Sequence, residues 1–141
     1  MRKIQSNPLI SQAGEIEVQV NDEVGSSILP NGSMRSSKVK ICVEAPESHA
    51  DKVREAMGKA GAGVIGKYAD CSFSVKGIGR FTPQAGAQPA IGTVGKAEAV
   101  NEEQIQMLCG RSNLAAVIAA LKKVHPYEEP GIAIYSLEEL P

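Results

Sequence analysis

Tryptophan is absent from this 141-residue chain and aromatic residues make up only 4% of it, so there is little material for a platform that stacks exposed bases. No sign of charge is in excess either: 15 Lys and Arg stand against 16 Asp and Glu, a formal net charge of −1. Without a basic field, nucleic acid is excluded as a partner. No apolar run approaches the roughly 20 residues of a membrane-spanning helix. None follows the basic start Met1-Arg2-Lys3, so neither a membrane span nor a signal peptide is read. The three cysteines, Cys42, Cys71 and Cys109, form no CxxC pair, which removes zinc-knuckle and thioredoxin-type motifs. Unpaired thiols suit a reducing compartment, and the expected location is cytoplasmic. All three are read as small apolar core residues.

What is present suits one modest core: 43% of the residues are apolar. Residues 1–37 carry Gly14, Gly25 and a turn-like Pro30-Asn31-Gly32-Ser33. They are expected to form an N-terminal extension, a mobile tail or an added edge strand, with Glu15–Val20 as the one alternating segment. Met34 is a candidate natural start. From residue 38 the pattern sharpens. Val39, Ile41, Val43 and Ala45 alternate with polar neighbours and predict a strand that Pro46 ends. Ser48 with Asp51 suggests a capping box. Ala50, Val53, Ala56, Met57 and Ala60 then predict an amphipathic helix stopping at Gly61-Ala62-Gly63. A second strand is expected over residues 68–75, with Cys71, Phe73 and Val75 inward, and a third over residues 98–109. A second helix should start near Ser112, with Leu114, Val117, Ile118 and Leu121 as its stripe and Lys122 and Lys123 at its C-terminal dipole. Pro126 forbids its continuation, and Ile132 and Ile134 open a last strand. The order is βαββαβ, which predicts an α+β, ferredoxin-like sheet with both helices on one face and the other face bare.

Residues 76–96, KGIGRFTPQAGAQPAIGTVGK, exceed the about 12–15 residues of an ordinary connection. Ile78, Phe81, Ile91 and Val94 within them argue for an ordered Gly/Pro-rich excursion, an extra hairpin among its possible forms, packed on its own domain or on a partner. Gly61 to Tyr68 match the spacing of a phosphate-binding loop up to Lys67. Tyr68 replaces the metal-binding hydroxyl, however, and the element order is helix–loop–strand, so no helix N-terminus would face a phosphate. Gly77-x-Gly79 lacks the third glycine of a dinucleotide fingerprint.

His125-Pro126-Tyr127-Glu128-Glu129 is the segment richest in chemistry, and His49 is the other histidine. His125 just past a helix can cap its last carbonyls. Alternatively His125, Glu128 and Glu129, with His49 as a further candidate, could hold a divalent metal ion. Nothing in the spacing brings the two histidines together, and no nucleophile–base arrangement can be argued.

These segments occur in one order: residues 45–57 (APESHADKVREAM), Gly61-Ala62-Gly63-x-Ile65-Gly66-x-Tyr68-x-x-Cys71-Ser72-Phe73, Gly77-x-Gly79-x-Phe81-x-Pro83, Ile91-Gly92-x-x-Gly95-Lys96 and His125-Pro126-Tyr127-Glu128-Glu129. Together, residues 38–141 resemble the domain inserted in bacterial members of the NGG-interacting-factor-three-like family, the dinuclear metal centre hexameric proteins. The resemblance implies a free-standing copy of a domain similar in fold to PII signalling proteins and to the trimeric CutA divalent-cation tolerance proteins. The long loop then falls where PII proteins carry their effector-contacting loop. It also implies that the family's dinuclear metal ligands lie in flanking lobes, so the GTP-cyclohydrolase-like label does not transfer. The expected function is a small homo-oligomeric binding or regulatory module of unknown ligand, a trimer first and a dimer next. A divalent metal-binding protein is the alternative and a metal-dependent hydrolase the third class.

Overall fold

The computed structural model describes residues 28, 30–32 and 34–141; the segment Glu15–Val20 lies outside the described residues. The elements run β1 (Lys38–Pro46), α1 (Glu47–Lys59), β2 (Phe73–Phe81), β3 (Glu98–Gly110), a 3₁₀ turn (Arg111–Asn113), α2 (Leu114–Val124) and β4 (Ile132–Ser136). The strands form one antiparallel sheet in the order β2-β3-β1-β4. This is the ferredoxin-like βαββαβ architecture.

Register explains the layer. Val39, Ile41 and Val43 stand opposite Cys109, Met107 and Ile105 on β3, and Val43 and Ile41 stand opposite Ile132 and Ile134 on β4. Because side chains alternate across a strand, these rows share one face. Val53 and Met57 of α1 and Val117 and Leu121 of α2 close over it, all fully buried. Burying each such side chain contributes about 1.5–3 kcal/mol. Arg54 pins α1 to the sheet from outside the core, donating to Ser74 Oγ at 3.0 Å and to Glu103 Oε2 at 2.7 Å.

Helix ends follow local chemistry. Gly61 takes φ +108°; its N–H donates to Gly58 O and the Ala62 N–H to Met57 O, both at 3.0 Å. That paired closure stops α1. The expected Ser48–Asp51 capping box does not form. β1 runs through Pro46 directly into α1, so Ser48 falls inside the first turn and bonds His49 Nδ1 at 2.9 Å. Asp51 pairs with Arg54.

The second strand differs most from expectation. It begins at Phe73 instead of Tyr68 and continues to Phe81. Phe73 and Val75 stand opposite Gln106 and Gln104, on the face away from the helices, and are 66% and 47% exposed. The cause is its edge position. Its helix-side positions meet the polar rim of α1 and not its apolar stripe: Arg54 bonds Ser74 and Glu47 pairs with Lys76. The apolar alternation thus belongs to the open face. Of the cysteines, Cys109 joins the core, Cys42 is buried on the open face opposite Gln106, and Cys71 is half-exposed.

Residues 76–81 therefore belong to β2, and the excursion shrinks to residues 82–97, closed where Phe81 pairs with Glu98. It holds turns and no added strand, tied by Gly95 N–H to Pro83 O at 2.8 Å. Of residues 28–37, Ser36 and Ser37 are already stitched to the domain. Arg111 Nε donates to Ser36 O at 2.9 Å, and the Arg111 N–H donates to Ser37 O at 2.8 Å.

Ile105→Ala removes a fully buried side chain at the centre of the layer and should lower unfolding free energy by roughly 2–5 kcal/mol. Val94→Ala, exposed on the excursion, should stay within about 0.5 kcal/mol. Urea unfolding at one protein concentration compares them, and equal losses would contradict the layer described here.

Candidate functional site

Beyond α2 the chain must cross the end of β1 before entering β4. Pro126 prevents the helix from continuing, and His125 directs the crossing. Its Nδ1 accepts the Tyr127 N–H at 3.1 Å, which leaves the proton on Nε2, and Nε2–H donates to Glu44 O at 2.8 Å. Both ring nitrogens are thereby committed. The partner is a strand carbonyl, not a carbonyl of the helix that His125 follows. Burial pushes the His125 pKa below its ordinary value; the bond to the Glu44 carbonyl and the Glu102 charge oppose that shift, and His49 reinforces it.

The latch places Tyr127 over the open face. Its hydroxyl donates to Glu102 Oε1 at 2.6 Å, and its ring meets Phe81 edge-on with centroids 5.8 Å apart. Burial, with the bond to Glu102, pushes the phenol well above its ordinary range, so it stays a donor across physiological pH. Gly79 lets the Glu102 carboxylate lie flat on β2: a Cβ there would sit 2.1 Å from Oε2. Glu128 Oε2 accepts the Gln88 N–H at 3.1 Å and ties the excursion to this segment. Between them lies a cleft of about 340 Å³, walled by Phe81, Pro83, Pro89, Ile91 and Tyr127 and edged by Glu44, Glu102, Glu128 and Glu129. A mostly apolar concavity of this size with a few convergent polar groups is the usual form of a small-molecule site.

No protein-family model matches the chain. Over 102 residues it is 46% identical to the GTP cyclohydrolase 1 type 2 homolog of Bacillus subtilis (strain 168), which covers 72% of this chain and 27% of that protein. The crystal structure of a Bacillus cereus protein related to NIF3 matches with a TM-score of 0.65 at 38% identity, over 76% of this chain and 27% of that one. The chain carries a PII/CutA-like domain of the NIF3-like kind. Fold likeness to the periplasmic divalent cation tolerance protein CutA of Archaeoglobus fulgidus supports the same architecture. The TM-score there is 0.53 at 20% identity, covering 74% of this chain and 87% of that one. The Bacillus subtilis GlnK–ATP complex matches at 0.50 and 13%, over 74% and 85%. The chain spans about a quarter of the length of the curated relatives it matches.

Within the PII/CutA-like domain, the expected site residues separate. Glu128 and Glu129 line the cleft. His125 lies beneath it as the latch, and His49, half-buried in the first turn of α1, comes within electrostatic range of His125. Among the described residues no three His, Cys, Asp or Glu side chains converge as a metal site. Nor is any helix among them long and apolar enough to cross a membrane. Sequence reasoning missed Glu102. Its only signal was its place on β3, in the row of Gln104 and Gln106, where a carboxylate looks solvated; its burial depends on Tyr127, 25 residues away in sequence.

The lowered His125 pKa has a direction in pH. Below about 6.5 the unfolded chain takes up a proton that the folded ring resists. Stability contributed by the neutral ring is therefore present above that value and is lost as pH falls toward the folded pKa. The melting temperature of the wild type should fall more steeply between pH 7 and pH 5 than that of His125→Gln. Parallel pH profiles in thermal melts would contradict this.

Proposed function

We propose that this domain is a non-catalytic binding or regulatory module whose ligand occupies the cleft between the 82–97 excursion and residues 127–131. The observation that carries the reading is the convergence of two separate segments, locked by His125 and by the Gln88–Glu128 bond, around a metabolite-sized concavity. A loop of this length organised around a concavity fits a binding role. The relatives named as cyclohydrolase homologs are proteins about four times the matched length, and the one hydroxyl–carboxylate pair described at the cleft, Tyr127 with Glu102, holds a phenol that burial keeps protonated.

The assembly proposed is a homo-oligomer, a trimer first and a dimer next. Its support is the open sheet face, where Phe73 and Val75 on β2 and Tyr135 on β4 are exposed at the two edges of the sheet; large apolar side chains on an uncovered face favour a protein contact. The cleft edge, Glu44 and Glu102, belongs to this same face, so a neighbouring subunit would border the site.

A divalent cation is the second reading, favoured by Glu128 and Glu129 at one cleft and by the likeness in fold to a divalent cation tolerance protein. It would have to break one His125 hydrogen bond to recruit the ring. If it holds, Zn²⁺ raises the melting temperature of the wild type and not of Glu128→Gln/Glu129→Gln.

Native mass spectrometry of the purified protein tests both parts of the main reading. Three chains with a co-purified small mass are expected, and Phe73→Lys/Val75→Glu should give folded monomers by light scattering. A wild-type monomer at micromolar concentration would overturn the assembly, and a double variant that stays oligomeric would remove this face as its interface.

A further inference from the structure

Glu102 is 7% exposed, and it is the one buried acidic residue among the described residues. The two oxygens of its carboxylate are placed differently. Oε1 takes the Tyr127 hydroxyl, while Oε2 lies over Gly79 with no protein donor or cation beside it among the described residues and stays open to the solvent of the cleft, since no side-chain oxygen sealed from water there lacks a partner. The four ion pairs there lie elsewhere: Arg54 with Asp51 and Glu103, Lys59 with Glu55, and Lys76 with Glu47. Arg80 also lines the cleft but is exposed and pairs with none of its carboxylates. The fold thus supplies this carboxylate with one neutral hydroxyl and no cation, and leaves its second oxygen available at the cleft lining. A ligand that covers Oε2 must replace its water, which a charged donor does best.

The surroundings specify that donor. Glu44, Glu128 and Glu129 edge the same cleft and leave its potential negative. Glu44 and Glu128 each have one oxygen engaged, by Gln104 Nε2 at 2.7 Å and by the Gln88 N–H at 3.1 Å. The Phe81 and Tyr127 rings, 5.8 Å apart, present aromatic surface that attracts an organic cation and packs its methylenes. A bare hard cation wants six or more oxygen ligands, and no cluster of ligating side chains converges here among the described residues.

We propose that the cleft takes a small aliphatic amine, its primary ammonium bonded to Glu102 Oε2 and its carbon chain laid along Phe81 and Tyr127. This rests on the cleft being the ligand site, and it names the ligand's class. Gly79 is then a positioning residue. It has no positive φ to preserve, so Gly79→Ala alters the site by pushing the carboxylate off β2 and not by straining the backbone.

The test is calorimetric titration of the wild-type protein at pH 7 with cadaverine, using pentanediol, glutarate and Zn²⁺ alone as neutral, anionic and metal probes. Cadaverine should bind, with the other three weaker by about tenfold or more, the scale of one charge-assisted hydrogen bond. Glu102→Gln, which keeps an acceptor for Tyr127, and Gly79→Ala should each weaken cadaverine by a similar factor while melting cooperatively. The proposal is overturned if either variant binds cadaverine as tightly as wild type, or if pentanediol or Zn²⁺ competes equally. Carbodiimide cross-linking of Glu102 to a lysine of a second copy would also overturn it, by assigning the counter-charge to the assembly. A co-purified neutral or anionic mass that Phe81→Ala releases would overturn the amine and leave the cleft as the ligand site. A cleft that takes none of the probes and carries no such mass would overturn both.

Discussion

One-sided burial of a single sheet governs this molecule. Val39, Ile41 and Val43 on β1, with Ile105, Met107 and Cys109 on β3, bring their rows together only in the observed register. A slip of either strand by one residue would turn its row toward water. Two helices close over those rows, and the same alternation sends Cys42, Glu44, Glu102, Gln104 and Gln106 to the opposite side. The chain's polar chemistry collects there because the core has taken the other face. Tyr127 then covers part of that polar row and converts one of its carboxylates from a solvated group into a buried one.

His125 shows how a residue rich in possible chemistry becomes a structural part. A histidine can be a base, a ligand or a switch, and its neighbourhood decides which. With Nδ1 accepting from Tyr127 and Nε2 donating to Glu44, the ring acts as a neutral bracket between the end of β1 and the crossing segment. Its hydrogen bonds set where Tyr127 stands, and Tyr127 sets how Glu102 is held. The site is thus assembled in steps, each fixing the next by one directional contact.

Much of this was legible in the sequence. The stripes of α1 and α2, the alternation of β1 and β3 and the order βαββαβ follow from apolar spacing, because those elements bury the faces that their periodicity marks. β2 was misread for a physical reason. At the edge of the sheet its Phe73 and Val75 alternate on the exposed side, and periodicity says that a strand has two unlike faces without saying which one meets the core. The segment holding His125, Glu128 and Glu129 was singled out, but Glu102 and Phe81 join it only through tertiary contacts across the sheet. No local pattern encodes a meeting of that kind.

The closing pair Phe81↔Glu98 fixes the ends of the excursion without fixing its length. Lengthening a flexible loop between held ends is cheap, about 0.6 kcal/mol for each doubling, and leaves the strand register intact. One wall of the cleft is therefore modular. Residues 82–97 can be lengthened, shortened or rewritten to suit a different occupant without moving the carboxylate, its tyrosine or the scaffold beneath them.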